Sequence, residues 1–183
     1  MKALGVLNHI KKKWDELTEG TFGVFIYIAL GILCGLIFFK SLCVLLNTNT
    51  PITWVSSTSM QHDNVELTHY KWLEEQLNYT REFINSWPYK KGFLKGDMPI
   101  IRGMEKYSIG DVIVFDVQGQ DTPIIHRIIK INEDGSYQTK GDNNLNQLPY
   151  EKNISKDQIH GKVIFIIPKL GYLRMFIYKI FGV

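Results

Sequence analysis

Three polar residues of this chain have the types that hydrolases combine for nucleophilic catalysis. Ser59 ends a short polar cluster, His126 lies in a β-branched stretch, and Asp142 lies in a Gly-Asp-Asn-Asn motif. A serine hydroxyl is a poor nucleophile until a base takes its proton, and a carboxylate can hold the tautomer of that base. We therefore expect Ser59 to be the nucleophile, His126 its base and Asp142 the acid that orients the base. The alternative is that Ser59 is an ordinary turn hydroxyl and that His126 is a packed residue on a strand, neither with a catalytic role.

The spacing of His126 and Asp142 predicts that they face each other across a hairpin. Residues 133–135 read Glu-Asp-Gly, which is typical of a three-residue loop with a left-handed glycine. Counting outward from that loop places His126 directly opposite Asp142, on one face of the sheet. A two-residue loop would instead pair His126 with Asn143, and a bulge near Gly141 would reverse either result.

The N-terminal part of the chain predicts a membrane anchor. Residues 22–39 are 18 consecutive residues without a charge, enough to span a hydrocarbon core of about 30 Å. A cleaved signal peptide is the alternative, but the apolar run and the region before it are both too long. Four lysines precede the run, so the positive-inside rule keeps residues 1–20 cytoplasmic. We expect an anchor at 21–46 and an extracytoplasmic domain at 47–168.

The rest of the chain predicts a mainly β fold. Residues 52–55, 112–117, 124–131, 136–140 and 162–167 are short, β-branched and bounded by turn residues. Together they indicate a small, bent antiparallel sheet or a partly closed barrel. Residues 65–85 show helical spacing and predict an inserted amphipathic helix within 65–87, whereas the tail at 169–183 predicts an interfacial amphipathic helix.

Composition excludes several other functions. The net charge is +3 and the basic residues are dispersed, so no nucleic-acid surface is indicated. The two cysteines, Cys34 and Cys43, lie in or beside the apolar run and lack metal-ligand spacing. We therefore expect neither a structural disulfide in the β-rich part nor a metal or organic cofactor.

Several motifs in this order resemble one family, the type I signal peptidases of archaea and of the endoplasmic reticulum. They are Ser-Thr-Ser-Met at 57–60, Ile-Gly-Asp-Val at 109–112, Pro-Ile-Ile-His-Arg at 123–127 and Lys-Gly-Asp-Asn-Asn at 140–144. The resemblance implies a membrane-bound endopeptidase that cuts signal peptides from secretory preproteins. It implies that Ser59 attacks the peptide bond, that His126 is the base, and that Ser57 contributes to an oxyanion hole. The implied partners are preproteins and the lipid bilayer, with the secretion translocon as a further candidate.

Three positions depart from the family pattern. Thr58 replaces a usual glycine, Gln61-His62 replaces a frequent Glu-Pro, and Leu148 stands where members carry a second aspartate that is often assigned to the triad. Asp142 then orients the base, or a Ser-His dyad operates, or activity is weakened. The alternative functions are a catalytically weakened assembly or binding subunit and another membrane-anchored serine hydrolase.

Overall fold

The computed structural model describes residues 2–181 of the chain. Residues 1, 182 and 183, which include the end of the predicted tail, lie outside the described residues. The chain forms two compact units that divide between Leu45 and Leu46. The first unit is helical, and the second holds the sheet.

The helical unit consists of α1, Lys2–Thr18, and α2, Gly20–Leu45. Gly20 has a φ of +71° at the junction, a left-handed conformation that side chains disfavour. At 1.5 Å per residue the 26 residues of α2 extend about 39 Å. By length and composition α2 is able to cross a membrane. Its side chains are mostly exposed within the unit, as expected for a lipid-facing helix.

The larger unit is built on a five-stranded antiparallel sheet with the order β1-β5-β2-β3-β4. Its strands are β1 Met98–Arg102, β2 Val112–Phe115, β3 Ile124–Ile131, β4 Tyr137–Lys140 and β5 Ile159–Ile167. The mainly β fold is confirmed, and the sheet stays open rather than closing into a barrel. The motifs did not predict β1, because Pro99 interrupts it. The carbonyl of Pro99 accepts from the Thr53 amide, so its nitrogen also faces residues 51–55, and the missing N–H removes no hydrogen bond to β5.

Strand β2 lies at the centre of the sheet and is buried on both faces. Val112 and Val114 pack into one apolar cluster, whereas Ile113 and Phe115 pack into another. Two-sided burial explains why β2 is a continuous apolar run without polar alternation. The first cluster also contains Met60, which is 1% exposed and directly follows Ser59. The core therefore anchors the backbone that carries the proposed nucleophile.

The inserted segment contains three short helices where a single helix was predicted. A π-helical turn at Glu66–Lys71 runs into α3, Trp72–Leu77, and the chain then breaks before α4, Arg81–Asn85. The break occurs because Asn78 takes a left-handed φ of +53° and Thr80 caps the next helix by accepting from the Phe83 amide.

The β3–β4 hairpin confirms the predicted loop but not the predicted register beyond it. Asn132 pairs with Ser136 around a left-handed Gly135, as expected for the three-residue loop. A bulge between Ile128 and Lys130 then shifts the pairing by one residue. The shift aligns His126 with position 141, so the expected opposition of His126 and Asp142 is wrong.

Helix α5, Gly171–Phe181, follows β5 within the predicted tail. Tyr172, Leu173, Phe176 and Ile180 are large apolar side chains that stay exposed on it. This pattern is typical of a helix that lies in a membrane interface, and that role of the tail remains a prediction.

Phe115 tests how much the central strand contributes to stability. Because its ring is fully buried, Phe115→Ala should lower the free energy of unfolding by about 3–5 kcal/mol. Phe165→Ala on β5 is the matched control, since that ring is 59% exposed and its loss should cost less than about 1 kcal/mol. Denaturant unfolding of both variants in detergent measures the difference, and equal losses would contradict the two-sided core.

Candidate active site

Ser59 and His126 meet in the structure, as their residue types predicted. Oγ of Ser59 lies 3.0 Å from Nε2 of His126, within hydrogen-bond distance. Ser59 stands on a tight turn after residues 51–55, whose backbone pairs with β1, and His126 projects from β3. His126 is 4% exposed, so the ring is held among packed side chains while the serine remains accessible. The hydroxyl can pass its proton directly to the ring.

The acid on the far side of His126 is Glu151. Nδ1 of His126 lies 2.5 Å from Oε1 of Glu151, and the carboxylate is fully buried. Oε1 also accepts from the Thr139 hydroxyl at 3.3 Å, and Oε2 accepts from the Leu148 amide at 2.7 Å. These contacts complete a serine–histidine–carboxylate relay of the kind that activates a hydroxyl.

Sequence reasoning missed Glu151 because its place depends on a short turn. The 3₁₀ turn Pro149–Glu151 folds the glutamate back toward Thr139 on β4. The available signal was an acid three residues after Leu148, behind a proline that can begin such a turn.

Asp142, the acid expected to orient His126, bonds elsewhere. Its carboxylate accepts from Nε of Arg127 at 2.9 Å and from Nη2 at 2.7 Å. Nε2 of His62 lies 2.9 Å away and Nδ1 of His69 lies 3.3 Å away. Successive residues of a strand point to opposite faces of the sheet. Arg127 directly follows His126 on β3, so Arg127 and its partner Asp142 lie on the face opposite the His126 ring.

The loop at residues 141–144 nevertheless touches the proposed nucleophile through its backbone. The Asn143 amide donates to the Ser59 carbonyl at 2.8 Å, and the Asn143 side chain donates to the Thr58 carbonyl at 3.1 Å. A Cβ on Gly141 would lie 2.8 Å from Nε2 of His126 and 2.9 Å from the Ser59 carbonyl oxygen. Glycine is therefore required for the close approach of the two reacting groups.

Ser57, the predicted oxyanion-hole residue, lies beside the nucleophile. Its hydroxyl is 3.0 Å from Oγ of Ser59, and the Ser59 amide is 3.5 Å from the same hydroxyl. Both groups can donate to an oxygen that develops next to Oγ of Ser59.

A cavity of about 250 Å³ opens in front of these groups. Its apolar walls include Trp54, Val55, Met60, Ile124, Ile125 and Leu148. Within residues 2–181, no cluster of three histidine, cysteine, aspartate or glutamate side chains is arranged to hold a metal ion. The cavity thus offers room for an organic chain next to the hydroxyl.

The inserted helices cover the buried ammonium group of Lys140. Nζ of Lys140 donates to the Thr68 carbonyl at 2.6 Å and lies 5.2 Å from the centre of the Trp72 ring. Burial lowers the pKa of Lys140 to about 8. The pKa of His69 is lowered to about 4, chiefly by burial, with Asp142 opposing this effect.

Gly141→Ala should separate the base from the nucleophile. The added methyl group would overlap the Ser59 carbonyl and the His126 ring, and a displacement of about 1 Å can cost 10²-fold in rate. The measurement is the rate at which a fluorophosphonate probe labels Ser59. Gly35→Ala on α2 is the control, because its added methyl group meets no atom within 4 Å. Equal labelling of the two variants would refute the requirement for glycine.

His69 should make the fold acid-sensitive between pH 6.5 and about 4. In that range the unfolded chain binds a proton that the folded chain does not, so stability is lost as the pH falls. The full effect of such a shift is on the order of 3 kcal/mol. His69→Gln removes this titration, so the stability difference between wild type and variant should change across that range. A constant difference in denaturant unfolding from pH 7 to 4 would disprove it.

No family model matches the chain. Three relatives nevertheless carry the name signal peptidase complex catalytic subunit SEC11. The protein from Komagataella phaffii is 29% identical over 155 residues, which are 76% of this chain and 74% of that protein. The relative from Lachancea thermotolerans is 27% identical over 84% of this chain and 81% of its own length. The Dictyostelium discoideum relative is 34% identical over 94 residues, about half of its own length. These matches confirm the resemblance: by sequence, the chain is similar to proteins named signal peptidase complex catalytic subunits.

Proposed function

We propose that the chain is a membrane-anchored serine endopeptidase that removes signal peptides from secretory preproteins. The observation that carries the proposal is the relay from Oγ of Ser59 through His126 to the buried Glu151. The relatives are named catalytic subunits of a signal peptidase complex, which supports the proposed activity.

In the first half of the proposed reaction, His126 accepts the proton of Ser59 as the oxygen attacks the peptide carbonyl. The imidazole becomes a cation, and the Glu151 carboxylate stabilises it through the hydrogen on Nδ1. His126 then donates the proton from Nε2 to the leaving amine, so the peptide bond breaks and an ester on Ser59 remains. In the second half, His126 takes a proton from water as the water oxygen attacks the ester carbonyl. The ester C–O bond then breaks, His126 returns the proton to Oγ of Ser59, and the new carboxyl end of the peptide is released.

The negative charge that forms on the carbonyl oxygen needs donors beside Ser59. The Ser59 amide and the Ser57 hydroxyl supply them in this mechanism, because both lie next to Oγ. Such donors stabilise the transition state more than the substrate, since the charge exists only during reaction.

An extended peptide fits the cavity between two backbone segments. Residues 51–55 pair with β1 on one side, and Ile124 and Ile125 pair with β2 on one side. The β4 pairing of β3 begins only at Arg127. Unpaired strand edges of this kind bind peptides by adding a strand, with pockets that accept alternate side chains.

The anchor would place this cleft at a membrane. Helix α2 is long and apolar enough to cross a bilayer, and the lysines before it favour a cytoplasmic N-terminus with the β-rich unit outside. Preproteins and the bilayer are the partners in this proposal, and the translocon is a candidate that would deliver the substrate.

Two observations support the alternative, a catalytically weakened assembly or binding subunit: Leu148 in place of an aspartate and Thr58 in place of a glycine. Glu151 supplies a carboxylate to His126 from three residues further along the chain. The relay therefore has an acid despite Leu148, which favours the enzyme.

Cleavage of a preprotein by the full chain in liposomes tests the proposed function. Ser59→Ala and His126→Ala should each reduce the rate by at least about 10³-fold. Glu151→Gln should reduce kcat by about 10³–10⁴-fold, because an amide cannot stabilise the imidazolium in the same way.

Glu105→Gln makes the same change at an exposed glutamate and should leave cleavage within about twofold of wild type. Full cleavage by the Ser59→Ala protein would rule out the mechanism. Cleavage that survives Glu151→Gln would reduce the relay to a serine–histidine dyad.

A further inference from the structure

A second histidine, His62, lies three residues after the proposed nucleophile and bonds to the buried carboxylate of Asp142. Its Nε2 lies 2.9 Å from Oδ2 of Asp142, and its Nδ1 lies 3.0 Å from the Lys90 carbonyl oxygen. The side chains of His62 and Asp142 are 12% and 1% exposed. No step of the proposed reaction uses this histidine.

Asp142 is a fixed attachment point for His62. Arg127 holds the carboxylate with Nε and Nη2, and its Nη1 donates to the carbonyls of Pro88 and Gly110 at 2.7 and 2.9 Å. Arg127 is itself 1% exposed and belongs to β3. The bond from His62 to Asp142 therefore links the nucleophile turn, through Arg127, to the strand that carries His126.

The turn that carries Ser59 is attached to loop 141–144 at three points. Two are the bonds that Asn143 donates to the carbonyls of Thr58 and Ser59. The third is the contact between His62 and Asp142, and it involves an ionisable ring. His62 lies at the C-terminal end of the turn and also contacts the Lys90 carbonyl. These contacts hold that end of the turn in place.

The partners of His62 determine which protonation state makes both bonds. A carbonyl oxygen and an ionised carboxylate only accept hydrogen bonds, so both ring nitrogens must carry hydrogen. Burial alone raises the pKa of Asp142, but Arg127 and His62 outweigh it and hold that pKa well below its usual range. The carboxylate is therefore ionised at neutral pH, and a neutral His62 must give up one bond.

We propose that His62 is a positioning residue for Ser59: it ties the nucleophile turn to Asp142 and to the Lys90 carbonyl, and so keeps the hydroxyl within reach of His126. The inference rests on the proposed function of Ser59 and His126.

The test is the rate at which a fluorophosphonate probe labels Ser59, using the full chain in detergent at neutral pH. His62→Ala should lower the rate by about 10- to 100-fold. His62→Gln carries an amide that can donate a hydrogen bond in place of the ring, so it should restore the rate to within about threefold.

Preprotein cleavage separates positioning from substrate binding. His62→Ala should lower kcat while KM stays within about twofold, because the lost contact acts on the nucleophile and not on the peptide. His160→Gln is the matched control. Nδ1 of His160 pairs with the Thr50 hydroxyl at 3.2 Å, and the change should leave kcat and KM unaltered.

Thermal unfolding of each variant guards against misfolding, and if His62→Ala does not fold, His62→Leu replaces it, because leucine keeps the bulk of the side chain and removes both hydrogen bonds. A wild-type labelling rate in the folded variant would overturn the positioning role while leaving the proposed function intact. A folded wild type that the probe does not label at all would overturn both.

Discussion

The site depends on the way one strand presents two adjacent residues to opposite faces of the sheet. His126 and Arg127 follow one another on β3, and each bonds to its own buried carboxylate, Glu151 or Asp142. Burying an ionised carboxylate is costly unless a charged or hydrogen-bonding partner accompanies it. Pairing each carboxylate with one residue of β3 offsets the cost of burying both of them. The same strand thereby supports the reacting face and the loop that holds the Ser59 backbone.

The parts of the site that could be predicted from sequence are those whose neighbours along the chain already indicate their position. Ser59 follows a short extended segment and precedes the buried Met60, so its hydroxyl stands at an exposed turn. His126 lies in a β-branched run that only a strand accommodates well. The loop before Ser136 was also predictable, because glycine in a three-residue hairpin loop has one favoured conformation.

The parts that could not be predicted depend on contacts between distant residues. A bulge on β3 shifts the hairpin register, and nothing in residues 128–130 signals it, since isoleucine and lysine fit a regular strand equally well. One shifted residue moved Asp142 away from His126 and toward Arg127. The acid that replaced it, Glu151, comes from a segment that periodicity describes only as a loop. Pro99 concealed β1 for the opposite reason. Proline is a local signal against strands, but its nitrogen faces residues 51–55 and not β5, so the pairing of β1 with β5 is kept.

Glu151 reaches His126 from a short turn and not from the sheet, and this affects how related chains should be compared. A strand residue is confined to a register, whereas a turn can lengthen or shorten and still deliver a carboxylate to the same point in space. The distance along the sequence between His126 and Glu151 is therefore not fixed by the pairing of the sheet. A search for an acid at a constant number of residues after the histidine would miss Glu151. A search for a buried carboxylate within hydrogen-bond distance of Nδ1 finds it.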